Sequence, residues 1–155
     1  MNHLETLIGE YLEWKGFFVV KAKRVGRLAH GGFTMELDVV GYHPGTHEVI
    51  HYEPSTDADS WEKREARYAK KMAAAKKFIP LEVLPHTQIT NLRHIAVFSN
   101  HPVGRDTLSG FEIQSINELM CQIKTDIAAL GVARRAAIPE NFPLLRTVQL
   151  LVSGY

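Results

Sequence analysis

The chain has a single cysteine, Cys121, among 155 residues, so no internal disulfide can form and nothing points to an oxidising compartment. No apolar run approaches the roughly 20 residues of a membrane span, and the N-terminus lacks the apolar core of a signal peptide. The expectation is a cytoplasmic protein with no membrane segment. Eight histidines are present, yet none has the His-x-x-His or Cys-His spacing of a zinc site. The Gly31-Gly32 pair is not followed by Gly-Lys-Ser/Thr, which excludes a P-loop. Ser55 has no evident Ser-His-Asp logic around it, which argues against serine-hydrolase chemistry.

Net charge is only +1, but it is unevenly spread. Lys15, Lys21, Lys23, Arg24 and Arg27 lie in a stretch free of acids. Lys63, Arg64, Arg67, Lys70, Lys71, Lys76 and Lys77 lie in another, relieved by Glu62 and Glu65. The two stretches hold 12 of the 18 Lys and Arg residues. Local patches of this kind are what a phosphate backbone feels, although helical lysines also line ordinary solvated faces. Length and a hydrophobic content of 45% fit one domain, 1–155, with a core over about 3–130 and a C-terminal helical extension over about 131–155.

Leu4, Leu7, Ile8, Tyr11 and Leu12 recur at helical spacing, predicting a helix over 3–15 closed by Gly16. Phe17–Val20 reads as a short strand, and Lys21–Gly32 as a basic loop or ragged strand end. Thr34–Val40 and Glu48–Glu53 alternate around Pro44-Gly45, predicting a hairpin with a type II turn. A turn centred there sets Asp38 opposite His51 and Glu36 opposite Glu53. All four then share one face, with Asp38 and Glu53 diagonal neighbours about 7–8 Å apart. His51 is read as a polar surface residue.

Asp59 and Glu62 have capping-box spacing ahead of a helix over 60–78, stopped before Pro80. Its apolar stripe is Trp61, Tyr68, Met72, Ala75 and Ile79. Arg93–Ser99 reads as a buried strand and Phe111–Ile113 as a short one. Ser115 and Glu118 cap a helix over 116–130. Residues 139–151 read as a last helix packed through Leu144, Leu145, Val148 and Leu151. Met72, Met120 and Cys121 read as core. The predicted class is α/β, an αβββαβ mixed sheet flanked by helices, with extra C-terminal helices.

Three phrases carry a resemblance: Tyr11-Leu12-Glu13-Trp14-Lys15-Gly16-Phe17, then Gly31-Gly32-Phe33-Thr34-Met35-Glu36-Leu37-Asp38-Val39-Val40, then His51-Tyr52-Glu53-Pro54-Ser55. In this order the chain resembles the PD-(D/E)XK nucleases, the restriction-endonuclease-like superfamily, in its Holliday-junction-resolvase-like and tRNA-endonuclease-like branch. The resemblance covers roughly residues 4–130. It implies Mg²⁺ or Mn²⁺ held by Asp38 and Glu53, with Glu5 as an added helix acid and Glu10 as a lesser candidate for that place. Asp38, Glu53, Ser55, Glu36 and Glu5 become the candidate catalytic set of a phosphodiester hydrolase acting on DNA or RNA. Lys21, Lys23, Arg24, Arg27, Lys63, Arg67, Lys70 and Lys71 become its backbone-gripping residues.

The family's lysine position holds Ser55, and Pro54 precedes it. Some members of the superfamily recruit a lysine from the following helix, where Lys63, Lys70 and Lys71 are available. The other reading is a nucleic-acid-binding or protein-interaction module that keeps the fold without turnover. Homodimers are common in the resembled branch, and apolar 144–152 would serve as the contact. Alternating charges also line solvent-facing hairpins, so Glu36, Asp38 and Glu53 carry that reading as well. The acids, glycines and basic helix in combination favour a site descended from a nuclease.

Overall fold

The computed structural model describes residues 2–155. Its chain order is α1 (His3–Trp14), β1 (Phe18–Arg27), β2 (Phe33–Tyr42), β3 (Glu48–Pro54), α2 (Trp61–Phe78), β4 (Asn91–Phe98), β5 (Thr107–Leu108), β6 (Phe111–Ser115), α3 (Ile116–Ala128), α4 (Ala133–Ala136) and α5 (Pro143–Ser153). The strands form one six-stranded mixed sheet in the order β1-β2-β3-β4-β6-β5. β1–β2–β3 is an antiparallel meander, and β3, β4 and β6 run parallel. The parallel steps require crossovers, which α2 and the β5 segment supply.

Each helix is fixed by local chemistry before packing. α1 opens on Asn2, whose side chain accepts from the Glu5 N–H. It closes in a Schellman motif, with Gly16 at φ +95 and the Phe17 N–H donating to the Leu12 carbonyl at 3.0 Å. Ser115 and Glu118 form the expected capping box on α3. The cap of α2 is Ser60, not Asp59, whose carboxylate accepts from Arg67. Past Phe78 the chain does not stop before Pro80 but continues as a π-helical turn, Ile79–Val83, from which Glu82 accepts the Gly26 N–H.

Apolar residues cover both faces of the sheet. Val39, Tyr52, Ile95 and Val97 pack against α1, α3 and α5 through Ile8, Ile123 and Leu145. On the other face Val40 and Val49 meet Ala75 and Phe78 of α2, and Tyr68 meets Phe98 and Phe111. Gln149, fully buried in α5, accepts from Ile138 and donates to the Gly131 and Ala136 carbonyls, tying down the α3–α5 connection.

Four expectations are corrected. Residues 21–27 are strand, paired with β2 from Lys21↔Val39 to Arg27↔Phe33, with Val25 buried among half-buried and exposed basic neighbours. The last helix begins at Pro143 and leaves Leu151 82% exposed, off the packed stripe. Cys121 is exposed, not core. The hairpin loop is longer than the expected type II turn: the His43 N–H donates to the Glu48 carbonyl, and the positive φ falls on His47, at +60, not on Gly45. The ladder therefore pairs Val40 with His51, two residues along from the expected register. A shift of two preserves which face each side chain occupies. Among the described residues no helix is long and apolar enough to cross a membrane.

Candidate functional site

The meander opens where its acids sit. The β2–β3 ladder runs from Tyr42↔Val49 to Val39↔Tyr52 and ends there. The next residues along, Asp38 and Glu53, face each other across the parting, and the Asp38 N–H donates to Glu53 Oε1 at 3.2 Å. On the β1 side the ladder also skips Ala22, opposite Asp38, which has φ +49. An alanine in that region is strained by about 1 kcal/mol, a feature that clusters at functional sites. Pro54 is tolerated for the same reason. The Ser55 N–H donates to Val97 of β4, so the Pro54 nitrogen faces β2, which has already diverged.

Glu53 is fully buried, and both its oxygens are used. Oε1 accepts from Asp38 N–H and from His51 Nε2 at 2.8 Å, while Oε2 accepts from Lys71 of α2. Lys71 Nζ also lies 3.9 Å from Asp38 Oδ2. Tyr68, one turn before Lys71, donates its hydroxyl to the Glu53 carbonyl at 2.9 Å and locks the strand under the helix. Burial, then the neighbouring Glu53 charge, pushes the Asp38 carboxyl well above the ordinary carboxylate range, against the pull of Lys71 and His51. One ammonium does not offset two carboxylate charges this close, so the Asp38 carboxyl keeps its proton to higher pH.

His51 is a correction: it is buried, not a surface residue. It pairs across β3–β4 with His94, their Nδ1 atoms 2.9 Å apart. Glu53 Oε1 is an acceptor here, so His51 Nε2 donates, its Nδ1 accepts, and His94 Nδ1 carries the proton. Burial, then Lys71, lowers the His51 pKa to about 3, and burial, then His51, lowers that of His94 to about 4. Folded values below the ordinary 6.5 mean that this pair contributes stability above that pH. The contribution is lost as pH falls through 6.5 toward 4 and 3. Urea unfolding midpoints followed across that window should fall with pH, and His51→Gln/His94→Gln should flatten the fall; an unchanged slope contradicts the assignment.

The other predicted residues divide. Glu5 is buried and near enough for Asp38 and Glu36 to raise its pKa after burial itself does so, which sets all three acids in one field. Glu36 is more exposed and pairs with Arg24 at 3.4 Å. Glu10 is structural: its Oε2 accepts the N–H groups of Leu144 and Leu145, capping α5, which has no side-chain cap of its own. The Ser55 hydroxyl donates to Asp57. Although burial opposes it, that bond and those from Arg67 hold the Asp57 carboxyl far below its ordinary range. Arg67 bridges Asp57 and Asp59, so part of it faces inward. Arg64 is buried, bound to Asp57 and stacked 4.5 Å from Phe98. Lys63 and Lys70 of α2 remain exposed, as do Arg24 and Arg27 of β1, while Lys21 and Lys23 are half-buried.

Lys71 is the residue the sequence could not single out. Its helix position, about three turns beyond Ser60, matters only once α2 is docked across β3. No protein-family model matches this chain, and no curated protein matches it.

Proposed function

We propose that this chain is a restriction-endonuclease-like phosphodiesterase acting on DNA or RNA, with Asp38, Glu53 and Lys71 at its centre. The observation that carries the reading is Lys71 reaching from α2 to Glu53 and toward Asp38. An ammonium beside the two acids would supply the charge that the resembled motif draws from a lysine two residues after the glutamate.

Asp38 has a hard carboxylate oxygen of the type Mg²⁺ and Mn²⁺ prefer, and Glu53 Oε2 would add a second where Lys71 gives way to the ion. Among the described residues no group of three or more His, Cys, Asp or Glu side chains is arranged to hold a metal ion. A cation here would rest on two carboxylates, with water and a substrate phosphate oxygen completing its shell. The raised Asp38 pKa fits that arrangement, since an added positive charge relieves it. When bound, such an ion supplies an activated water and charge neutralisation. Lys71 Nζ contributes a fixed positive charge against the scissile phosphate, and His51 with Tyr68 holds Glu53 in orientation. Arg24, Arg27, Lys63 and Lys70, with Lys21 and Lys23, contact the backbone without reading bases.

A second reading has its own observation: Lys71 already bridges the two carboxylates, as an ion pair would in a binding module without turnover. Incubation with duplex, branched and single-stranded DNA and RNA separates the two. The first reading predicts cleavage that needs Mg²⁺ or Mn²⁺ and disappears in Asp38→Ala. Salt-dependent binding without cleavage supports the second, and cleavage surviving in Asp38→Ala contradicts the site.

A further inference from the structure

We infer that the loop over residues 99–106 is a proton-controlled latch. It is fastened to α3 while the His101 ring carries a proton on both nitrogens, and released when the ring loses one. The loop leaves β4 beside the end of β3 and leads into β5. It shares no residue with the Asp38–Lys71 centre, and the latch does not depend on the reading given for that centre.

The deciding geometry is at the His101 ring. Its Nδ1 lies 3.0 Å from Glu118 Oε1 and 3.1 Å from Glu118 Oε2, and its Nε2 lies 3.2 Å from Asp106 Oδ1. The Arg105 main chain adds a further acceptor. Carboxylate oxygens accept, and a neutral imidazole has one N–H to give, so both bonds form together only in the imidazolium. Glu118 is kept ionised from its other side: its Oε2 takes the Ser115 N–H at 2.6 Å in the cap of α3, which holds its pKa below the ordinary value. The His101 side chain is 25% exposed, so burial opposes its charge only weakly. The hydrogen bond to Glu118, ahead of the Arg105 carbonyl and Asp106, holds the His101 pKa above its ordinary 6.5.

The charged groups facing the ring are Glu118 of α3 and Asp106 of the loop itself. A second fastening contains no imidazole: Glu65 of α2 holds Arg105 at 2.7 Å, and Arg105 stacks on Trp61 at 5.2 Å. Between the two ties Val103 is fully exposed, and Gly104, at φ +77, has open space where a side chain would stand. Loss of one ring proton sets a lone pair against a carboxylate and leaves the loop held through Arg105. Because the folded pKa is raised, the latch is closed below 6.5 and opens as pH rises through the folded value, the reverse of the His51–His94 pair. An ion pair this exposed contributes little to the whole fold, so the effect falls on local opening of the loop.

The test uses the full chain. Ring-proton NMR signals followed from about pH 5 to about pH 9 should place the His101 pKa above 6.5, and Asp106→Asn and Glu118→Gln should each lower it. Trypsin cleavage after Arg105 reads the opening, with His101→Gln as the unlatched reference that cancels the protease's own pH dependence. At about pH 6 the wild type should be cut about threefold more slowly than His101→Gln, and at about pH 9 equally fast. A His101 pKa at or below 6.5 overturns the proposal. A cleavage ratio that is the same at both pH values also overturns it, since His101 is then a static surface contact.

Discussion

Glu53→Ala should destabilise the fold by about 3–5 kcal/mol, the usual consequence of removing one partner from a buried charge pair. Glu53 is the junction of the site: it receives the Asp38 N–H, His51 Nε2 and Lys71 Nζ, and it is fully buried. Alanine leaves the Lys71 ammonium, 17% exposed, without its nearest counter-charge. It also leaves the His51 donor and one main-chain N–H unpaired in the interior. Glu53→Gln keeps an acceptor for Asp38 and His51 but turns an amide toward Lys71, and should cost about 1–3 kcal/mol. Urea unfolding at neutral pH reads both variants. A loss below about 1 kcal/mol for alanine would contradict the burial and bonding of Glu53.

Lys71→Met tests the division between structure and chemistry. Losing a fixed positive charge that acts on the transition state typically lowers turnover by about 10²–10³-fold. The same change leaves Asp38 and Glu53 facing each other with no ammonium between them, so the variant should also melt lower. Saturating Mn²⁺ should restore the melting temperature, because a divalent cation neutralises the pair, while turnover stays low, because the charge is no longer where Lys71 held it. Restoration of both by Mn²⁺ would make Lys71 a mere counter-ion. Restoration of neither would remove the cation from the account.

The parity of the hairpin was legible in sequence because alternation survives any even shift of register. The register itself was not, since it depends on a loop whose left-handed residue is His47, a position no simple turn pattern marks. β1 was misread over 21–27 because lysines and arginines look like loop, whereas a half-covered strand beside β2 keeps such side chains on its open sides. α2 declared itself through its period and α3 through its period and cap, and the structure returns both spans almost unchanged, with Ser60 in place of Asp59 as the cap of α2. His51 was misjudged because histidine is ordinarily half-exposed; only the sheet order, which sets His94 beside it, makes its burial intelligible. Lys71 was one of several equivalent lysines until the crossover placed it over Glu53.

The measurement that bears most directly on the centre is calorimetric titration of the purified chain with Mn²⁺. One saturable site is expected in the wild type, lost in Asp38→Ala and retained in Glu10→Gln, whose carboxylate caps α5 at a distance from the acids. Absence of saturable binding in the wild type, or undiminished binding in Asp38→Ala, would contradict a cation centre at Asp38 and Glu53.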